Sequence, residues 1–170
     1  MAWFQKKEPG SGARPAAAIR VHELLVERSI VFPEAGLPKP AVLELLVRQT
    51  CAAHDLGDAA PFLERARERE QGISTTLDSG LSLPHARVDG LDEIAAGLAL
   101  LPHGLQDPQH PEIPIRAMFL FFSPNRQDAF TRHLQVLRGV STLFQAPLIA
   151  ELCGLKTPAL ALERLAAAEG

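Results

Sequence analysis

The feature that most constrains the fold is an almost unbroken apolar run in the second half of the chain. It covers residues 115–122 and reads Ile-Arg-Ala-Met-Phe-Leu-Phe-Phe. A half-exposed strand would alternate apolar and polar residues, whereas a run of this kind is typical of a strand buried on both faces. We therefore predict a central strand here, with other layers of structure packed against it.

Shorter patterns along the chain predict the remaining elements. Strands are expected at residues 30–32, 81–83 and 94–101; the last is ambiguous, because Ala and Leu favour a helix while its length and its place between turns suit a strand. Helices are expected at residues 19–25, 41–51, 61–69, 128–144, 147–153 and 157–168. The alternation of helices and strands indicates an α/β protein, most simply a single domain with a central mixed sheet flanked by helices on both sides.

Two of these expectations concern residues near the central strand. The amphipathic helix at 128–144 is expected to direct one apolar face to the core, formed by Phe130, Leu134, Leu137, Val140 and Phe144. The segment 102–114, rich in Pro, His, Asp and Gln, is expected to be a loop.

Composition excludes several classes of protein. The 170 residues, 46% hydrophobic and 22% charged, fit one globular domain, and a net charge of −3 offers no electrostatic footprint for nucleic acid or for an anionic membrane. No apolar stretch reaches the roughly 18 residues of a membrane span, so no membrane insertion is expected. Residues 1–18 lack the apolar core of a signal peptide and are expected to form a flexible lead-in to a domain at 19–170.

The two cysteines, Cys51 and Cys153, lie far apart and outside any Cys-x-x-Cys pattern. We expect buried free thiols in a reducing cytoplasm, and no metal site.

Histidine 85 stands out among the polar residues. It follows the predicted strand at 81–83 directly after Pro84, whose ring fixes its own φ and biases the preceding residue towards extended structure. His85 should therefore leave the strand end at a defined point, where its ring can present a nitrogen. Taken alone, a histidine at this position could simply be a polar residue at a strand end without a function. Its interpretation therefore depends on the neighbouring residues.

Those neighbours form a pattern. Arg69-Glu70, Ser74-Thr75 and the strand ending in Pro84-His85 follow one another without a gap, and Arg132-His133-Leu134 opens a helix downstream. The pattern resembles the enzyme IIA domains of the fructose/mannitol class of the bacterial phosphoenolpyruvate-dependent phosphotransferase system, which include the nitrogen-regulatory IIA proteins. The resemblance covers about residues 19–168 and implies the mixed-sheet fold of the mannitol-type IIA proteins.

The resemblance also implies roles. His85 would be the phosphorylated nucleophile, through Nε2, and Arg69 would neutralise phosphoryl charge with its planar fork of donors. His133 would donate to phosphoryl oxygens or orient His85, and Ser74 and Thr75 would supply further donors. For each of these residues a structural role stays open: a helix-end arginine, a core-edge histidine and loop-capping hydroxyls.

The resemblance implies a phosphohistidine carrier that needs no cofactor. It would accept phosphate from a histidine phosphocarrier protein and pass it to a IIB protein, or signal to regulatory target proteins by its phosphorylation state. An alternative is a non-catalytic protein-binding module on the same fold, because fold does not determine function. The cytoplasm is the expected location for either.

Overall fold

The computed structural model describes residues 18–72 and 74–170, and it contains one mixed β-sheet. The strands are β1 (Ile30–Val31), β2 (Leu81–Ser82), β3 (His85–Val88), β4 (Ala95–Asp107) and β5 (His110–Pro124). β4 lies between β1 and β5, and both β2 and β3 pair with the other side of β5. The β4–β5 pair is antiparallel and the other pairs are parallel. The α/β class and the mixed sheet are thereby confirmed.

The described part of the chain forms five α-helices beside the sheet: α1 (Lys39–Ala53), α2 (Ala60–Glu70), α3 (Phe130–Leu143), α4 (Ala146–Cys153) and α5 (Pro158–Glu169). The predicted helix at residues 19–25 is wrong, because only a 3₁₀ turn forms there, at Val21–Leu24. Two further 3₁₀ turns lie at Glu27–Ser29, outside every predicted helix, and at Gln127–Ala129, just before α3. The predicted start of α5 is confirmed, because the Thr157 hydroxyl accepts a 3.2 Å hydrogen bond from the backbone N–H of Leu160.

The helices cover both faces of the sheet. Phe119 and Phe121 of β5 belong to a core shared with α3, α4 and α5, whereas Met118, Leu120 and Phe122 belong to a core shared with α1 and α2. Successive side chains of a strand point to opposite faces. Residues 115–122 are therefore apolar at nearly every position because each face of β5 has its own core.

The predicted loop at residues 102–114 is wrong. Within it β4 continues to Asp107 and β5 begins at His110, joined by a short turn at Pro108–Gln109. The register shifts between Leu100 and Leu105, and Gly104 adopts a φ of +74° in this bulge. The prolines of this segment suggested a loop because proline cannot donate to a strand ladder. Strands nevertheless tolerate proline at bulges and ends, where no ladder donor is needed.

The strand that leads to His85 is also different from the prediction. It does not end before His85: it breaks at Leu83–Pro84 and resumes as β3, with His85 as its first residue, opposite Phe121 of β5. Pro84 has no N–H to donate, so the ladder is interrupted there and only its carbonyl is used, accepting from the N–H of Phe121 at 3.2 Å.

The buried face of α3 lies to one side of the predicted face. Phe130 and Leu134 are 46% and 47% exposed, while His133, Val136 and Val140 are buried. The apolar period alone predicted a face that included Leu134, but His133 occupies the inward position because it has a polar partner in the sheet, described below.

The described residues 18–72 and 74–170 include both cysteines, which are buried free thiols as expected. The expected flexible lead-in at residues 1–18 lies outside them except for Ala18. Among the described helices, none has by itself the length and apolar composition to cross a membrane; one pair bent by 78°, Gln127–Leu143 with Ala146–Cys153, meets the criteria jointly.

Candidate functional site

The backbone break before β3 determines how the His85 ring is held. Because Leu83 lies in the break, its carbonyl points to the side chain two residues on, and His85 Nδ1 lies 2.7 Å from that oxygen. A carbonyl oxygen can only accept a hydrogen bond, so Nδ1 carries the proton. In a neutral imidazole the other nitrogen, Nε2, then has a free lone pair.

The surroundings keep this ring neutral. Burial lowers the pKa of His85 below its ordinary value of 6.5; the Leu83 hydrogen bond and Glu70 act in the opposite direction, and Arg69 acts with burial. The ring stacks on Phe121 with centroids 5.5 Å apart and planes within 12°. His85 thus presents a neutral, fixed imidazole whose Nε2 is nucleophilic at neutral pH.

His133 lies beside His85, with ring centroids 5.5 Å apart. His133 lies in the first turn of α3, and its ring packs against the same Phe121, with ring centroids 5.2 Å apart. Burial lowers the pKa of His133 to about 4, and the charges of His85, Arg87 and Arg69 act in the same direction. The two histidines that lie far apart in the chain therefore meet as a pair of neutral rings.

A cleft of about 470 Å³ opens above these rings at the edge strand β3, between α2 and α3. Its lining residues are Arg65, Glu68, Arg69, His85, Ala86, Arg87, Asn125 and His133. Within residues 18–72 and 74–170, the guanidinium of Arg69 has no hydrogen bond or ion pair, whereas Arg65 is tied to Glu68 and to the carbonyl of Arg87. Arg69 is therefore an uncommitted cation beside the histidines, suited to an anionic group.

Arg87 is a site residue that our sequence analysis missed. Its guanidinium lies 5.2 Å from the centroid of the Phe130 ring and donates to the Arg126 carbonyl, while its buried Nε has no partner in the part of the chain described. A signal for it did exist: on a strand, residues two apart share a face, so a basic residue at 87 follows His85 into the same cleft.

Ser74 and Thr75 are placed differently from the other predicted site residues. The hydroxyl of Ser74 donates to Asp107 at 2.8 Å, the hydroxyl of Thr75 donates to Glu70 at 2.9 Å, and neither residue lines the cleft. Backbone groups do link this segment to the site, because the Thr75 carbonyl accepts from the N–H of Leu83 at 3.1 Å. The fold thus brings His85, His133 and Arg69 together and leaves these two hydroxyls on carboxylates.

Those carboxylates form a network behind the site. Lys39 lies 3.1 Å from Glu70 and 3.3 Å from Asp107, which is 1% exposed at the end of β4. Burial raises the pKa of Asp107, but hydrogen bonds from Thr76, the Gln109 backbone and Ser74, with the charge of Lys39, outweigh it and hold that pKa far below its ordinary value. The described residues contain no group of three or more His, Cys, Asp or Glu side chains that could hold a metal ion.

This geometry can be compared with known proteins. A family model described as "Phosphoenolpyruvate-dependent sugar phosphotransferase system, EIIA 2" matches residues 23–165. The chain is also 29% identical over 102 residues to the PTS system 2-O-alpha-mannosyl-D-glycerate-specific EIIABC component of Escherichia coli (strain K12). That stretch is 59% of this chain but 15% of the relative, so the chain spans only a small part of that protein's length.

Solved structures share the fold. The nitrogen regulatory protein IIA-Ntr from Neisseria meningitidis superposes with a TM-score of 0.73 at 21% identity, over 85% of this chain and 98% of that one. IIA mannitol from Escherichia coli gives 0.69 at 16% identity, over 83% and 98%. The complex of enzyme IIA mannitol with phosphorylated enzyme IIB mannitol, also from Escherichia coli, gives 0.68 at 14% identity, over 84% and 97%.

Proposed function

We propose that this chain, which belongs to the phosphoenolpyruvate-dependent sugar phosphotransferase system EIIA 2 family, is a phosphocarrier that holds its phosphoryl group on Nε2 of His85. The observation that carries the proposal is the 2.7 Å contact between His85 Nδ1 and the Leu83 carbonyl. It selects the tautomer with a lone pair on Nε2, in a cleft that also contains His133 and Arg69.

The transfer step follows from this tautomer. The Nε2 lone pair attacks the phosphorus of a phosphohistidine on the donor protein, a new N–P bond forms, and the old N–P bond breaks with its electron pair returning to the donor ring. The proton stays on Nδ1, which keeps donating to the Leu83 carbonyl, so no proton has to leave His85 before the bond forms. The step exchanges one N–P bond for another, so the group stays transferable and the protein contributes mainly positioning and charge.

Positive charge is supplied by two arginines. Arg69 faces the cleft without a competing partner in the described chain, and Arg87 enters it from β3. Phosphoryl oxygens accept hydrogen bonds from such guanidinium groups, which stabilise the charge spread over them during transfer. The hydrogen bonds of Ser74 to Asp107 and of Thr75 to Glu70 favour a role for these hydroxyls in holding the segment before β2 rather than in binding the phosphoryl group directly.

The partners follow from the chemistry. The donor is a histidine phosphocarrier protein, and the acceptor is a IIB protein or, in the regulatory form, a target protein that reads the phosphorylation state. The complex of enzyme IIA mannitol with phosphorylated enzyme IIB mannitol supports the first acceptor, and the likeness to nitrogen regulatory protein IIA-Ntr supports the second. We place the protein in the cytoplasm; the two buried free thiols are typical of a reducing compartment.

The test is a phosphorylation assay. The protein is incubated with phosphoenolpyruvate, enzyme I and a histidine phosphocarrier protein, and its intact mass is measured before and after acid treatment. We expect one acid-labile phosphoryl adduct, absent from His85→Ala and retained by His103→Ala, a matched control because His103 is exposed on β4 outside the cleft. Absence of an adduct with several donors would favour the protein-binding module instead.

A further inference from the structure

A buried hydroxyl lies behind the second histidine of the site. Ser123, on β5, is fully buried, and its Oγ makes a short hydrogen bond with Nδ1 of His133. His133 is itself only 6% exposed. His133 lines the cleft and Ser123 does not. Because Nδ1 is bonded to Ser123, Nε2 is the nitrogen of His133 that can reach the cleft and His85.

The direction of this hydrogen bond can be worked out from the partners of the hydroxyl. Among the described residues, His133 Nδ1 is the only hydrogen-bond partner of Ser123 Oγ. If Nδ1 carried the imidazole proton, the hydroxyl could only accept, and its own proton would be buried without a partner, which is costly. If the hydroxyl donates to Nδ1, the buried hydroxyl proton has a partner and the imidazole proton lies on Nε2, the nitrogen on the side of the cleft.

We infer that Ser123 is a positioning residue which fixes neutral His133 as the Nε2–H tautomer, so that His133 presents a hydrogen-bond donor to the phosphoryl group on His85. The inference rests on the proposed function for its consequence, but its structural part concerns the unphosphorylated protein alone.

The two histidines are then complementary although they have the same side chain. His85 donates a hydrogen bond from Nδ1 to the backbone and offers a lone pair at Nε2, whereas His133 accepts a hydrogen bond at Nδ1 from Ser123 and offers a donor at Nε2. The low pKa of His133, about 4, means that the ring is neutral at pH 7 and that its tautomer matters. A serine can also accept, so the contact would persist if a bound phosphoryl group raised the pKa of His133.

The experiment measures the tautomer directly. Two-bond ¹⁵N–¹H correlation NMR at pH 7 distinguishes the two neutral forms of each histidine, and it is recorded on the unphosphorylated wild type and on Ser123→Ala. We expect one clean Nε2–H pattern for His133 in the wild type and a mixture of tautomers in the variant. His85 should keep its Nδ1–H pattern in both, because its partner is a backbone carbonyl.

The second measurement is the rate of phosphoryl transfer to His85. We expect Ser123→Ala to slow it on the order of 10-fold, as for other partners that orient a functional histidine. The matched control is Ser82→Ala, which removes an equally buried hydroxyl that has no hydrogen-bond partner in the described structure, and which should leave both the tautomers and the rate unchanged.

A double-variant comparison separates positioning from general packing. In His133→Gln the side-chain amide nitrogen takes the place of Nε2–H and has no tautomer, so adding Ser123→Ala should then have no further effect on the rate. A wild-type His133 in the Nδ1–H form, an unchanged tautomer in Ser123→Ala, or a shifted tautomer with an unchanged rate would each overturn the inference. Failure of the wild type to accept phosphate would overturn the proposed function, and with it the effect of Ser123 on phosphoryl transfer. The NMR result would still show the direction of the hydrogen bond between Ser123 and His133.

Discussion

At the scale of single residues, the site depends on which polar groups already have partners and which do not. The Nδ1 atom of His85 is bonded to Leu83, and Arg65 is bonded to Glu68, but the guanidinium of Arg69 is uncommitted among the described residues. An unpaired cation beside a neutral nucleophile costs little in a solvent-open cleft and can form its hydrogen bonds when the anion arrives. We therefore expect Arg69 to provide most of the positive charge that stabilises the phosphoryl group during the proposed transfer.

The prediction at this scale concerns Arg69→Gln. Phosphoryl transfer to His85 should slow by about 10²- to 10³-fold, the usual effect of removing one donor that stabilises transition-state charge. Arg69→Lys should recover part of that rate, because it restores the charge without the planar fork. Single-turnover kinetics with a phosphorylated histidine phosphocarrier protein measure both.

The control lies on the same helix. Arg67 is exposed, pairs with Glu44 at 2.9 Å and does not line the cleft. Arg67→Gln removes the same charge from α2 and should leave the transfer rate within about 2-fold of wild type, since an exposed ion pair contributes little. Equal losses in the Arg67 and Arg69 variants would show that only the general positive charge of α2 matters.

At the scale of elements, the position of α1 depends on one glycine of β4. A Cβ built on Gly97 would lie 2.0 Å from Thr50 Oγ1, 3.1 Å from a methyl of Leu46 and 3.2 Å from the Ser29 carbonyl. The first of these separations is impossible for real atoms, and the last involves backbone. Helix α1 therefore packs on the sheet at a distance that only glycine permits.

Gly97→Ala should accordingly destabilise the protein by about 3 kcal/mol, as overpacking of a tight core does. Because the worst overlap is with the Thr50 side chain, the loss should shrink in a Thr50→Ala background, a coupling that a double-mutant cycle in urea denaturation would measure. If the losses of stability in the two single variants simply add, the Thr50 side chain is not what prevents a Cβ at position 97.

Gly139 of α3 provides the matched substitution. There a Cβ would meet only a Val21 methyl at 3.5 Å, an ordinary contact. Gly139→Ala should be neutral or stabilising by up to about 1 kcal/mol, because alanine is the better helix former.

At the scale of the whole molecule, buried titratable groups couple the fold to pH. Burial lowers the pKa of His85 and His133 in the folded protein, so in the window below their ordinary value of 6.5 the unfolded chain binds more protons than the folded one. The stability is therefore complete above pH 6.5 and falls as the pH decreases. Asp107 adds a second loss below its ordinary pKa of 3.8, because its folded pKa is depressed.

We predict that the free energy of unfolding of the wild type declines between pH 6.5 and about 4. The pKa of His133, lowered from 6.5 to about 4, sets an upper bound of about 3 kcal/mol on its share. His133→Gln removes the titration, so its stability should vary less with pH over the same window. Urea denaturation of both proteins at several pH values tests this; parallel curves would mean that His133 does not contribute.

The sequence determined the α/β class of the fold, because the local apolar patterns that predicted the central strand and most helices agree with the structure. The apolar run at residues 115–122 requires cover on both faces, and the structure provides it with two separate cores. The helix predicted at residues 157–168 is present as Pro158–Glu169, with Thr157 as its N-cap. The resemblance of the sequence motifs to a known family also suggested His85, His133 and Arg69 as site residues, and the fold brings these three side chains to one cleft.

Only the tertiary structure decided where each of these side chains finds its partner. The hairpin at residues 102–114 depends on the pairing of β4 with β5, and the inward position of His133 depends on its contact with Ser123 in another element. Arg87 belongs to the site because β3 resumes after Pro84. Local sequence encodes periodicity, turns and short contacts such as the one between His85 and Leu83. A hydrogen bond between residues of different elements exists only after the chain has folded, and we infer the proton position on His133 from such a bond.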